Sequence, residues 1–300
     1  MPGGKPQPLR VSHVEVGGTP KAPMSTSSFE AIAPPAPADT AALPPIAQAP
    51  VVGTPLAVTD YERVLDWVDA AVALCAREYV CVAAVHTVME SRHDAGLRAA
   101  VDGAAFTVPD GQPLAWALRA LGHEIDERVY GPELMARACA RAARSGQRHY
   151  LYGGRDDEAL ARLTGNLQER FPGVTIAGGF SPPFRALSDA ELDEIAARIN
   201  AARPDVVWVG IGVPKQEKWM AAMRERLDAP VLIGVGAAFD FHAGLVPQAP
   251  AWMQRRGLEW LFRLVQEPRR LWRRYARHNP RFVVGFARQW ASHRRVRTAR

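Results

Sequence analysis

Asp110 stands at the end of the apolar run AAFTVP and directly before GQPLAWALRALG, where a strand gives way to a helix. A carboxylate there does one of two jobs. It caps the helix by accepting a backbone N–H, or it stands at the mouth of a site and takes a proton from a hydroxyl. GIGVPKQEKW, residues 210–219, follows a second apolar run. Gly210 and Gly212 let a ligand approach the backbone, and Pro214 suits a helix start. Gln216 and Glu217 then fall in the first helical turn beside unpaired N–H groups, a place suited to phosphate or sugar oxygens. A plain strand–helix turn with solvated polar residues accounts for the same letters. Asp240 and His242 close a third run, GVGAAFDFHAG. They are a weak pair alone, and His242 is the kind of histidine that more often supports a fold than a reaction. Arg128, in DERVYGPEL, reads alone as a surface arginine.

Charge is distributed unevenly. Residues 51–250 hold 20 basic and 26 acidic residues, whereas residues 251–300 hold 14 arginines, no lysine and two acids. The pI of about 9.5 therefore belongs to the tail. Arg263, Arg270, Arg273 and Arg274 fall roughly on one helical face, with Leu261, Leu264, Val265 and Leu271 opposite. Arginine unmixed with lysine favours bidentate phosphate recognition over mere solubility. The expected partner is a localised anion: a phosphate, a nucleic acid or an anionic membrane.

Several chemistries lose ground. Neither G-x-G-x-x-G nor G-x-x-x-x-G-K-[ST] occurs, there is no G-x-S-x-G elbow, and no D-x-D is present to hold a divalent ion. Cys75, Cys81 and Cys139 form no CxxC pair and no zinc spacing, and are expected to be reduced thiols of an intracellular protein. No metal site is expected. No stretch approaches the ~20 apolar residues of a membrane span.

The elements that must position these residues follow from periodicity. Residues 1–50 carry 11 of the 25 prolines, so a disordered leader is expected over 1–55. Over 56–250, apolar runs at 80–85, 104–109, 149–154, 174–179, 205–211 and 230–236 alternate with amphipathic helical segments. Continuous apolar strands joined by helices predict an α/β fold: a parallel sheet with helices on both faces, binding ligands at the carboxyl ends of its strands. Residues 251–300 read as a separate basic helical appendage punctuated by Pro268 and Pro280.

Taken together, TVPDGQPLAWALRALG…ERVYGPELM, GIGVPKQEKWM and GVGAAFDFHAG…APAWMQRRGLEWLFRLVQEPRRLWRRY resemble the WecB/TagA/CpsF glycosyltransferase family, over roughly residues 60–280. The resemblance implies a Rossmann-like, inverting, metal-independent enzyme without a cofactor. Such an enzyme moves a sugar from a UDP donor to a polyprenyl-diphosphate-linked saccharide at the cytoplasmic membrane face. It implies two catalytic residues, Asp110 as base and Arg128 beside the donor as a cation for the leaving diphosphate. It places Gln216, Glu217, Gly236, Phe239 and Asp240 at the nucleotide sugar, and Arg263, Arg270 and Arg273 at the diphosphate. The donors it offers are UDP-N-acetylmannosamine, its uronate, or UDP-glucose in exopolysaccharide assembly, the last matching the LVQEPRRLWRRY end best. One motif departs: Val82 and Ala84 stand where the family reads T-x-N, leaving His86 or Thr87 to take over. The expected partners are the donor, the lipid-linked acceptor and an anionic membrane surface, and not nucleic acid, since the body is acidic and lacks a recognition motif. A non-catalytic nucleotide-binding module with a basic partner-binding arm is the alternative.

Overall fold

A computed structural model describes residues 42–298. The expected leader lies outside the described residues up to position 41, and its last part is a correction. β1 (Gln48–Val51) and β2 (Thr54–Ala57) form an antiparallel hairpin with Ala49, Val51 and Leu56 buried. Val52 and Gly53, both at positive φ, make the two-residue turn whose twist matches a hairpin. Pro50 and Pro55 face each other one step from that turn. This is the non-hydrogen-bonded position of the ladder, where a missing N–H costs nothing.

The chain continues through α1 (Tyr61–Ala73), β3 (Glu78–Ala83), α2 (Val85–Glu90), α3 (Ala95–Asp102), β4 (Phe106–Pro109), α4 (Gln112–Ala120) and α5 (Gly131–Ser145). Next come β5 (Arg148–Gly153), α6 (Asp157–Arg170), β6 (Thr175–Phe180), α7 (Asp189–Ala202), β7 (Val206–Gly210), α8 (Lys215–Met223) and β8 (Val231–Gly234). Caps set several helix starts: Asp60, Asp94, Asp156 and Ser188 each accept an N–H three residues on. The six strands β3–β8 form one parallel sheet in the order β4-β3-β8-β7-β5-β6.

Both faces are covered, which is why the strands read as continuous apolar runs. Val80, Val82, Trp208 and Ile233 pack under α1, α5 and α6. Their neighbours Tyr79, Cys81, Val207, Val209 and Leu232 pack under α7 and α8. The predicted architecture is therefore present, with helices on both faces.

After β8 the chain is helical: α9 (Ala238–His242), α10 (Ala251–Arg255), α11 (Glu259–Gln266) and α12 (Pro268–Thr298). Pro268 opens α12 as expected, but Pro280 lies inside it rather than ending it. The appendage is not detached. Phe282 joins a third core with Val51, Leu56, Val88, Leu114 and Leu118. Gln289 clasps the hairpin, its amide oxygen accepting from Val52 N–H at 2.7 Å and its Nε2 donating to Pro50 O at 2.6 Å. Among the described residues, no helix is long and apolar enough to cross a membrane.

Candidate functional site

The carboxyl ends of β3, β4, β5, β7 and β8 open into one cleft of about 510 Å³ with a mixed polar and apolar lining, closed on its far side by α11 and α12. Asp110, Gln216, Gly236, Phe239, Asp240, Arg263 and Arg270 line it, as do His86 and Thr87 and the replaced pair Val82 and Ala84. Glu217, Arg128 and Arg273 do not.

Asp110 is half-buried at the tip of β4. It does not cap α4, whose N-cap is Gly111. Its Oδ1 instead accepts the N–H of Gly131, the first residue of α5, at 2.8 Å. One lone pair is thus tied to a helix N-terminus while the side chain still faces the cleft. Burial pushes its carboxyl up to about 6, Arg128 working against that and Glu259 with it.

Arg128 is buried rather than on the surface. It donates to Glu259 Oε2 at 2.6 Å and to the backbone oxygen of Asp110 at 3.2 Å, and lies 4.2 Å from the Tyr130 ring centroid. Its charge is neutralised by a carboxylate from the appendage, and it stands behind Asp110. Glu259 reaches the cleft, but Arg128 does not and lines only the neighbouring cavities.

Gln216 and Glu217 occupy the first turn of α8 but are not solvated. Gln216 threads past the end of β8: a Cβ on Gly234 would come within 3.1 Å of its Nε2, and one on Gly236, at φ +52°, within 3.2 Å of its Oε1. That Oε1 is buried and unpartnered among the described residues, while Nε2 donates to Glu217 Oε1 at 2.9 Å. Glu217 lies behind Gln216, fully buried, its carboxyl pushed up to about 7 by that burial. It supports Gln216 rather than facing the cleft.

The two glycines ahead of them divide the work. A Cβ on Gly210 would sit 2.5 Å from the Phe239 ring, so its missing side chain accommodates that ring, not a ligand. Gly212, at φ +80°, faces open space. Asp240 lies in the first turn of α9 rather than at a strand end, and Arg155 holds it through two bonds of 2.9 and 3.1 Å. His242 is structural: its Nε2 meets Pro132 O at 2.9 Å.

The tail arginines divide too. Arg263, from α11, and Arg270 and Arg274, from α12, line the cleft. Arg273 is exposed, its guanidinium 5.5 Å from the Trp272 ring. One step along a helix is 100°, so Arg270 and Arg274 share a face with buried Leu271 while Arg273 turns away. The Nε atoms of Arg263 and Arg274 are buried without a partner among the described residues. Burial, then the charges of Arg274, His278 and Arg263, hold the His86 imidazole well below its ordinary value.

Two of these residues escaped the sequence reading. Arg155 follows the Gly-Gly that ends a strand, and Glu259 is one of only two acids among the tail arginines. Both signals were available.

An open parallel sheet with an arginine-flanked cleft at its strand ends defines a Rossmann-like ligand-binding protein. Residues 49–296 match the Glycosyl transferase WecG/TagA/CpsF family, and the chain belongs to that family. It is similar to the N-acetylglucosaminyldiphosphoundecaprenol N-acetyl-beta-D-mannosaminyltransferase of Bacillus subtilis (strain 168), 32% identical over 169 residues, which are 56% of this chain and 63% of that protein. The protein of the same name from Bacillus spizizenii is 31% identical over 185 residues, 62% and 69% of the two chains. That from Staphylococcus aureus (strain MW2) is 28% identical over 173, 58% and 66%. The chain thus spans a little under two thirds of the Bacillus subtilis relative's length.

Proposed function

We propose that this protein is an inverting glycosyltransferase that moves an N-acetylmannosaminyl-type sugar from a UDP donor to a polyprenyl-diphosphate-linked saccharide, at the inner membrane face and without a metal. One observation carries the reading: Asp110, with its raised carboxyl, shares a single cleft with Arg263, Arg270 and Arg274. The names of the relatives favour this donor over UDP-glucose.

Inversion needs a base on the acceptor hydroxyl and a stabiliser for the departing diphosphate. Asp110 takes the hydroxyl proton as that oxygen attacks the anomeric carbon and the bond to UDP breaks. Arg263 and Arg274 are the cations available to the diphosphate, and Arg270 joins them from an exposed pair with Glu267. Arg128, already paired with Glu259, positions Asp110 through its backbone oxygen. Gln216 Oε1 offers an acceptor beside Gly236 for the nucleotide end, and Asp240, steadied by Arg155, a second one. The anionic bilayer attracts the tail, at about 1 kcal/mol per basic residue near the surface.

The test is a transfer assay on undecaprenyl-diphosphate N-acetylglucosamine with UDP-N-acetylmannosamine and UDP-glucose, each with and without EDTA. Transfer from the first donor, unaffected by EDTA, is expected. No turnover with any UDP-sugar would leave a nucleotide-binding module, and loss in EDTA restored by Mg²⁺ would overturn the arginine-based mechanism.

A further inference from the structure

A cavity of about 700 Å³ adjoins the cleft, with Tyr130 and Pro132 in the common wall. It shares Gln112 and Arg128 with the cavity on the α12 side, which Asp110 also lines. Its walls come from α4, α5, α6 and α10. Apart from Arg128, the reaction proposed above uses none of it. Five arginines line it with three carboxylates. Three of the arginines are committed: Arg128 to Glu259, Arg137 to Glu133 at 2.9 Å, and Arg119 to the backbone oxygens of Ile125 and Asp126. Arg170 and Arg255 are exposed and have no carboxylate partner among the described residues.

The lining decides what fits. Tyr61 and Tyr130 are both buried, and the guanidinium groups of Arg137 and Arg128 lie 4.1 and 4.2 Å from their ring centroids. Neither ring presents an open face to a base or a hydrocarbon chain. Gln112 and Gln248 add side-chain amides that make no internal hydrogen bond among the described residues, and each amide both donates and accepts. An occupant rich in hydroxyls, carrying a carboxylate and lacking a large apolar surface matches all of this. We propose that this cavity holds a uronate next to the attacked sugar, so that the acceptor is an acidic oligosaccharide rather than a single neutral sugar. Its carboxylate pairs with Arg170 or Arg255, a fork suited to bidentate contact. Continuity favours a saccharide over an acidic peptide: Gln112 lies two residues after Asp110, so the cavity runs on to the place where the acceptor hydroxyl reacts. The volume falls within the ~300–1,000 Å³ of small-molecule sites, room for more than one sugar ring. The inference rests on the acceptor class proposed above.

The experiment titrates the full chain by calorimetry with hyaluronan tetrasaccharide, in which glucuronate alternates with N-acetylglucosamine. Neutral chitotetraose and the peptide tetraglutamate are run beside it. The intact protein should bind the acidic saccharide at least tenfold more tightly than either. Arg170→Gln and Arg255→Gln, with unchanged circular dichroism, should each lose about tenfold, the usual effect of removing one charge-assisted bond. Arg63→Gln, at an exposed position of α1 outside the cavity, should keep full affinity. Equal binding of chitotetraose would remove the uronate, and equal binding of tetraglutamate would make the cavity a contact for an acidic peptide. An equal fall in Arg63→Gln would reduce the attraction to diffuse charge. Each of these overturns the proposal, as does a failure to bind the acidic saccharide. Uronate preference without transfer from any UDP-sugar would leave the cavity standing and sink the transferase reading; transfer without that preference would do the reverse.

Discussion

Burial, helped by Glu259, raises the Asp110 carboxyl, Arg128 and then the Gly131 N–H at a helix N-terminus favour its charge, and burial wins. An acid limb should therefore appear in kcat/KM, which rises with pH through about 6 as the carboxylate forms. Asp110→Asn keeps an acceptor for Gly131 N–H, so UDP affinity measured by calorimetry should hardly change while turnover falls ~10²–10⁴-fold. Near-normal turnover would reduce Asp110 to a cap for α5. Glu217 makes a stability prediction. Its folded-state value of about 7 lies above the ordinary 4.5, so the folded protein retains a proton that the unfolded chain has lost, and stability declines as pH rises between those values. Glu217→Gln should stabilise the protein most above pH 7, by on the order of 3 kcal/mol and read as a raised Tm, and by little near pH 4.5. A pH-independent difference would contradict the burial argument. Asp110 was legible as a strand-end acid. Its true partner was not, because Gly131 lies 21 positions away and reaches it only through the tertiary fold.

The tail helices were legible in composition but not in rotation. Arg273 and Arg274 are adjacent letters, and only the packing of Leu271 decides which faces inward. Arg270→Ala and Arg274→Ala should each cut turnover roughly 10²-fold, the usual loss when one fixed transition-state donor is removed. Arg273→Ala should leave turnover within about threefold, and a parallel fall in all three would reduce the arginines to membrane anchors. Five of the six sheet strands stood out because both of their faces are buried, which makes each an apolar run, whereas the edge strand β6 is only partly covered. The hairpin hid behind prolines that are harmless only in the register β1 and β2 adopt. Gly210 and Gly212 show the same division: both were legible as permissive positions, yet one serves Phe239 and the other open space.

Across the whole molecule, the acidic body and the arginine-rich tail make the proposed membrane attraction separable from the proposed chemistry. Binding to anionic vesicles should weaken steeply between about 0.1 and 1 M salt, as the screening length falls from ~10 to ~3 Å. Insensitivity to salt in a sedimentation assay would assign the attachment to apolar contacts alone. The separation of body from tail was legible in charge, but their union was not, because it depends on Phe282 and Gln289 meeting a hairpin that reads as leader. That union has a temporal consequence. Gln289 lies 237 residues after Val52, and a ribosome adding ~5–20 residues per second takes roughly ten to fifty seconds to cover the gap. Throughout that interval the newborn hairpin has no clasp. The cleft arginines, which also arrive late, can complete a site only on a sheet already synthesised.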